Sequence, residues 1–143
     1  MKTSRQTALS LCLVIVLIFG LTSSASASVY ASNYFTYGDV SASAAGNGKL
    51  RIKLDVLATG TMQEVGATQI IVYEKQASGS YQSVYTFKRA DYPNLIAKNR
   101  ASIVTYVTYQ GTPGKTYYVT ANCHAKDAYG SGTTWAGSTA VKV

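Results

Sequence analysis

PGKTYYVTANCHAK, residues Pro113–Lys126, is the stretch that decides the fold of this chain, because a Pro-Gly turn leads into a run of alternating character. Small or apolar side chains and one tyrosine fall on one side of the run: Tyr117, Val119, Ala121, Cys123 and Ala125. Mostly polar side chains fall on the other side: Tyr118, Thr120, Asn122, His124 and Lys126. A period of two predicts an extended strand with one buried face.

Further runs with strand character lie along the rest of the chain. Lys49–Ala58 alternates so cleanly that Leu50, Ile52, Leu54 and Val56 are expected to face a core. The other predicted strands are Tyr34–Ser41, Thr68–Lys75, Tyr81–Phe87, Ala101–Tyr109 and Thr133–Val143, with the facing of 68–75 and 101–109 left open. Loops are predicted at the glycine-bounded Thr59–Ala67 and at the Pro- and cation-containing Lys88–Arg100. About seven short strands without a helical period indicate an all-β Greek-key sandwich.

The segment Tyr109–Ala121, YQGTPGKTYYVTA, resembles the strand end, turn and tyrosine-bearing strand of fibronectin type III domains. The resemblance implies that Tyr117 closes a tyrosine corner, in which the hydroxyl bonds back to nearby backbone. It also implies a single immunoglobulin-like or fibronectin type III-like sandwich of about seven antiparallel strands. The tryptophan that such domains carry early in the chain is missing, and Trp135 lies in the last predicted strand instead.

The chain downstream of its N-terminal segment is similar to a family of small secreted proteins of Gram-positive bacteria to which no function is assigned. The segments that carry this similarity are Ala58–Lys75 (ATGTMQEVGATQIIVYEK), Gly79–Tyr81 and Gly114–Tyr118 (GKTYY). The similarity implies export and one sandwich domain, and it implies no catalytic residue.

Residues 1–27 have the composition of a secretory signal peptide. Lys2 and Arg5 form a basic start, Leu9–Leu21 is apolar, and Ala25–Ala27 offers small residues for cleavage. A transmembrane anchor is the alternative, but the apolar run is shorter than the roughly 20 residues that span a bilayer. We therefore expect a signal peptide at 1–27, one β-sandwich domain at 28–143, no transmembrane segment after cleavage, and a secreted product that can associate with the cell wall.

The charge balance favours anionic partners. The chain has a formal net charge of +7, and loss of Lys2 and Arg5 leaves about +5. A mildly basic surface suits cell-wall polymers or lipid headgroups, and it is not by itself a nucleic-acid signature. We expect no nucleic-acid partner.

The chemistry-bearing residues do not form a catalytic pattern. His124 is the one histidine of the chain, and its neighbour Cys123 should point to the opposite face of the strand. Cys123 is expected to be a buried thiol, with an intermolecular disulfide as the alternative. The six carboxylates are scattered and no metal-ligand spacing occurs. We expect that the protein is not an enzyme and that it binds no metal and no cofactor.

The candidate ligand-binding residues are cations and aromatics. Four cations and a tyrosine lie in or beside the loop Lys88–Arg100, and a tryptophan lies near the C-terminus: Lys88, Arg89, Tyr92, Lys98, Arg100 and Trp135. Several cations on one loop can adapt to a repeating anionic polymer. The plainer interpretation is that charges mark a solvated face and that the twelve tyrosines simply suit strands.

These observations favour a secreted, non-catalytic binding module that acts at or near the bacterial surface, on an envelope polymer, a glycan or a protein. One alternative is a structural protein that self-associates through exposed strand edges. A further alternative is an exported toxin or inhibitor. Ligand identity, oligomeric state and biological process are left open by the sequence.

Overall fold

A computed structural model describes residues 33–143, which fold into seven β-strands. The strands are β1 (Phe35–Ala44), β2 (Lys49–Lys75), β3 (Tyr81–Lys88), β4 (Ile96–Gln110), β5 (Thr116–Lys126), β6 (Ser131–Gly137) and β7 (Val141–Lys142). The predicted signal peptide at 1–27 lies outside the described residues, as do residues 28–32. Within 33–143 the helical structure is a 3-10 turn at Pro93–Leu95, and no helix there has the length and apolarity to cross a bilayer.

The seven strands are antiparallel and form one strongly curled half-barrel sheet. Its main path runs β1-β2-β5-β6, while β3 and β4 also pair with β2, and β7 pairs with β5. The all-β class and the number of antiparallel strands are therefore confirmed. A sandwich has two separate sheets, whereas here the hydrogen bonding continues from one half to the other through β2.

Strand β2 has 27 residues, and its length makes the curl necessary. Fully extended it would measure about 90 Å at 3.3 Å per residue, several times the radius of gyration of about 13 Å expected for a domain of this size. Its first half pairs with β1 and β4, and its second half pairs with β3 and β5. The predicted loop at Thr59–Ala67 is wrong, because this segment is the bend of a continuous strand.

The bend is built from irregular pairing. Register shifts occur between Leu57 and Met62 against β4, and between Ala67 and Gln69 against β5. The shift between Ala67 and Gln69 changes which side of β2 faces inward, as bulges do, and a further change lies between Met62 and Val65. The buried positions accordingly change parity twice along the strand: Leu50, Ile52, Leu54, Val56, Ala58 and Met62, then Val65 and Ala67, then Ile70 and Val72.

Gly66 fixes the centre of this bend. Its φ of +151° is a conformation that side-chain-bearing residues rarely adopt. A Cβ at this position would also run into the carbonyl oxygen of Leu95, which is itself fully buried just before β4 begins. The glycine that suggested a loop in the sequence is therefore the point at which β2 passes beneath the 3-10 turn.

The segment Lys88–Arg100 was also predicted as a loop, and this is partly wrong. Residues Ile96–Arg100 already belong to β4, which is 15 residues long. The sequence left open which side chains of 68–75 and 101–109 face the core, and the structure resolves both cases. Ile70 and Val72 point to the core, and in β4 the odd positions from Ala101 to Tyr109 lie deeper than the even ones.

Strand β5 matches its prediction residue by residue. Tyr117, Val119, Ala121, Cys123 and Ala125 are buried, and the residues between them are half-buried or exposed. The Tyr117 hydroxyl accepts a hydrogen bond of 2.9 Å from the Thr112 N–H and donates one of 2.8 Å to Glu74 Oε2. A Cβ on Gly111 would lie 2.9 Å from the Tyr117 ring, so glycine is required where the turn crosses it. The predicted hydrogen bond between the Tyr117 hydroxyl and nearby backbone is confirmed.

We expect Gly66→Ala to destabilise the fold by at least about 2 kcal/mol, because it adds backbone strain and a clash with Leu95. Urea unfolding measures this loss. Gly60→Ala is the matched control on the same strand, since a Cβ there meets nothing within 4 Å. The control should change stability by less than about 1 kcal/mol, and equal losses in both variants would contradict the role assigned to Gly66.

Tyr117→Phe should cost about 1–3 kcal/mol, because it leaves the Thr112 N–H and the Glu74 carboxylate without their common partner. Thermal or urea unfolding reports the difference. Tyr118→Phe is the control, since its hydroxyl has no hydrogen-bond partner within residues 33–143 and its ring stack on Tyr73 is kept. A loss in the control as large as in Tyr117→Phe would show that the corner bond adds nothing.

Candidate functional site

Three of the six predicted binding residues, Lys88, Lys98 and Trp135, lie on the outer face of the sheet in rows that cross several strands. One row joins Lys88 on β3 to Gln69, Asn122 and then Trp135 on β6, each directly opposite the next. Side chains directly opposite one another are about 5 Å apart and share a face. Lys88 and Trp135 are thus the two ends of one row, although they lie 47 positions apart in the sequence.

A second row is centred on Glu64 of β2. Lys98 lies directly opposite it on β4, and Lys126 lies directly opposite it on β5. Between the two rows lies His124, which is paired with Gly66. Because Gly66 has no side chain, His124 can lean toward the Glu64 row.

Glu64 is the hub of a cation cluster, which we define as Arg89, Lys98, His124 and Lys126. Arg89 Nη1 lies 3.0 Å from Glu64 Oε2 and donates a hydrogen bond to it. His124 Nε2 lies 3.3 Å from the same oxygen, within ion-pair distance but outside hydrogen-bond geometry. Burial acts to raise the pKa of Glu64, but the hydrogen bond and charge of Arg89, with a smaller contribution from His124, hold the pKa below its ordinary value. The carboxylate is therefore ionised and holds Arg89 by an ion pair.

Beside the cluster lies an open groove of about 210 Å³. It is lined by Glu64, Arg89, Pro93, Ile96 and Lys98. Two permanent cations, Arg89 and Lys98, line the groove together with one carboxylate, so the groove carries an excess of positive charge. A carboxylate or phosphate group fits this electrostatic environment.

The remaining loop residues separate in the structure. Arg100 follows Lys98 along β4, opposite Met62, and Asn99 between them has a φ of +54°. Tyr92 turns away into a second, aromatic groove of about 310 Å³. That groove is lined by Tyr85, Phe87, Tyr92, Thr108, Tyr109 and Gln110. Arg89 and Lys98 thus converge, whereas Tyr92 belongs to another surface.

A line of polar atoms runs along the outer side of β5. Thr120 Oγ1, Asn122 Oδ1 and His124 Nε2 are buried atoms without a hydrogen-bond partner within residues 33–143. A buried polar atom that is left unpaired costs about 1–3 kcal/mol. This line runs from the Trp135 row to the cluster, beneath the surface of the outer face.

Sequence reasoning missed Glu64, His124 and Lys126. His124 was expected to be an isolated residue on the polar side of its strand, and it is instead half-buried beside Glu64. Glu64 was assigned to a loop, so its neighbours on β4 and β5 were unknown. No local signal reveals them, because they depend on the register of three strands.

Cys123 and His124 point to opposite faces, as predicted. Burial first, and the nearby charge of Asp39 second, raise the pKa of the Cys123 thiol to about 12. The thiol is also packed against β1, where a Cβ on Gly38 would lie 2.9 Å from Cys123 Sγ. Within residues 33–143 no group of three His, Cys, Asp or Glu side chains is arranged to hold a metal ion.

No known protein family, no curated protein and no solved structure matches the chain. The similarities to fibronectin type III domains and to secreted Gram-positive proteins therefore stay proposals. Function is inferred below from the outer face itself.

We expect Glu64→Gln to reduce stability at neutral pH and to have little effect in acid. The pKa of Glu64 is lowered by folding, so its ionised form stabilises the fold above the ordinary value of 4.5. That contribution is lost as the pH falls through the lowered value of the folded state. Urea unfolding of wild type and variant between about pH 7 and pH 3 measures it.

The Arg89→Gln background provides the control for this prediction. Arg89 is the hydrogen-bonding partner, so in its absence the Glu64→Gln substitution should have a smaller pH-dependent effect on stability. An effect of Glu64→Gln that stays constant across the whole pH range would contradict the assigned ion pair.

Proposed function

We propose that this protein is a secreted, non-catalytic binding module that acts at or near the bacterial cell surface and binds an anionic envelope polymer. The observation that carries the proposal is the grouping of Arg89, Lys98 and Lys126 around Glu64: Arg89 forms an ion pair with its carboxylate, and Lys98 and Lys126 lie directly opposite it on the neighbouring strands. Three cations grouped around one anion provide a surface for a ligand with repeated negative charges.

The shape of the site favours a polymer over a small molecule. Small-molecule pockets typically have volumes of about 300–1,000 Å³ and enclose most of their ligand. The groove beside Glu64 is smaller, about 210 Å³, and open. It can hold one charged group of a chain whose other units lie along the sheet.

Trp135 supplies an aromatic part of the binding surface. Trp135 is 54% exposed, and its ring can stack on the flat face of a sugar. From Trp135 to Lys98 the distance is about 20 Å, given three strand spacings and four residues along the strands. This span exceeds one sugar unit and suits a glycan chain that bears phosphate or carboxylate groups.

The other parts of the proposal have separate support. Export to the surface of a Gram-positive cell is supported by the composition of residues 1–27. Absence of catalysis is supported by the opposite facing of Cys123 and His124. Kinship with immunoglobulin-like or fibronectin type III-like sandwiches is supported by the corner bond of Tyr117, although here β2 joins both halves in one sheet.

The proposal is tested by retention of the secreted protein on purified Gram-positive cell wall. Retention should be strong at about 20 mM salt and largely lost at about 0.5 M, because salt screens exposed charges. Arg89→Gln combined with Lys98→Gln should reduce retention at least about tenfold, the equivalent of 1.4 kcal/mol. Glu64→Gln should strengthen it, since the cluster then loses its one negative charge.

Lys49→Gln combined with Lys75→Gln is the charge-matched control. Both lysines are exposed at the two ends of β2, away from the cluster. This double variant should retain most of the wild-type binding to the cell wall. Absence of retention at low salt, or equal losses in the two double variants, would overturn the proposal.

A further inference from the structure

Strand β4 is a long edge strand with little protection. Within residues 33–143 it pairs with β2 alone, so its other edge has unpaired backbone groups. Ala101–Gln110, ASIVTYVTYQ, contains ten residues without a charge, a glycine or a proline. Val104 and Tyr106 are exposed by 55% and 46%. Such a strand is a template for pairing with another strand.

The other edges of the described sheet are less suited to pairing. Strand β6 has seven residues and contains Gly132 and Gly137, and β1 carries Asp39. Strand β3 has eight residues, about half the length of β4. The charged residues of β4 lie only at its beginning, at Lys98 and Arg100. The following ten residues carry no charge that would oppose pairing with another strand.

We propose that β4 pairs with β4 of a second copy of this chain, antiparallel, about a two-fold axis at Thr105. In this register Val104 lies opposite the partner's Tyr106, so each exposed apolar side chain covers another. Aromatic and β-branched residues form favourable cross-strand pairs. On the inward side, Ile103 lies opposite the partner's Val107, which extends the buried face across the two copies.

Charge and facing disfavour two neighbouring registers. A slip by one residue would place inward side chains opposite outward ones, which the alternation of β4 disfavours. A slip that centres the axis on Tyr106 would bring two Arg51 side chains together, because Arg51 lies 4.3 Å from the Tyr106 ring. With the axis at Thr105, Arg100 faces the partner's Gln110, and the two Arg100 residues are about 33 Å apart.

This pairing would make one continuous sheet of two copies, with a cation cluster toward each end. It is independent of the proposed polymer binding, because the paired residues lie outside the cluster. Were both correct, the dimer would present two anion-binding surfaces to one polymer and gain avidity.

Sedimentation of the secreted protein over a range of concentrations tests the pairing. We expect a reversible dimer that dissociates on dilution. Val104→Lys should raise the dissociation constant at least tenfold, because a lysine on an edge strand opposes pairing. Val84→Lys is the matched control, since Val84 is an exposed valine on the edge strand β3, and it should leave the dimer intact. Circular dichroism verifies that both variants fold.

Disulfide trapping tests the register independently. Val104→Cys protein mixed with Tyr106→Cys protein should form a disulfide-linked dimer under mild oxidation, whereas either protein alone should form at least tenfold less. Strict monomers at the highest attainable concentration would overturn the inference. So would equal disruption by Val84→Lys, or crosslinking of Val104→Cys protein by itself. Loss of wall retention with an intact dimer would refute the polymer proposal alone.

Discussion

The constraint on which the structure depends is the passage of β2 through a bend at Gly66. A strand of 27 residues cannot stay straight within a domain of this size, so it must curl or break. Gly66 accepts an unusual φ and lets the Leu95 carbonyl approach where any side chain would collide. Since β1, β3, β4 and β5 all pair with β2, their relative positions follow from this one bend.

The local alternation of the sequence was sufficient to predict the strands and the buried face of β5. It was not sufficient where the alternation changes parity. In the segment Thr59–Ala67 two glycines and a mixture of exposed and buried residues have the appearance of a loop, although the strand is continuous and its backbone pairs with β4 again from Met62 onward. A bulge and a loop share the same composition, and only long-range pairing distinguishes them. The same limit concealed Glu64, because its partners come from β4 and β5.

The candidate site shows how a single carboxylate can organise cations that are distant in sequence. Lys98 and Lys126 are placed beside Glu64 by backbone pairing, whereas Arg89 comes from the turn after β3 and reaches Glu64 with its side chain. Glu64 is ionised because Arg89, with a smaller contribution from His124, outweighs its burial. Arg89 and Lys98 were predictable as cations of one segment, but their convergence on an acid was not. Tyr92, from that same segment, turns to the aromatic groove instead.

The packing of Cys123 against Gly38 has a consequence for the chemistry of the unfolded chain. This thiol is covered only after β1 has docked on β5. In an oxidising compartment, where accessible thiols react, folding and oxidation would therefore compete for each new molecule. A chain that closes its half-barrel promptly conceals its sulfur, whereas a chain that stays unfolded exposes a reactive group to its neighbours. Gly38 thus links the chemical lifetime of the protein to the speed with which its first strand docks.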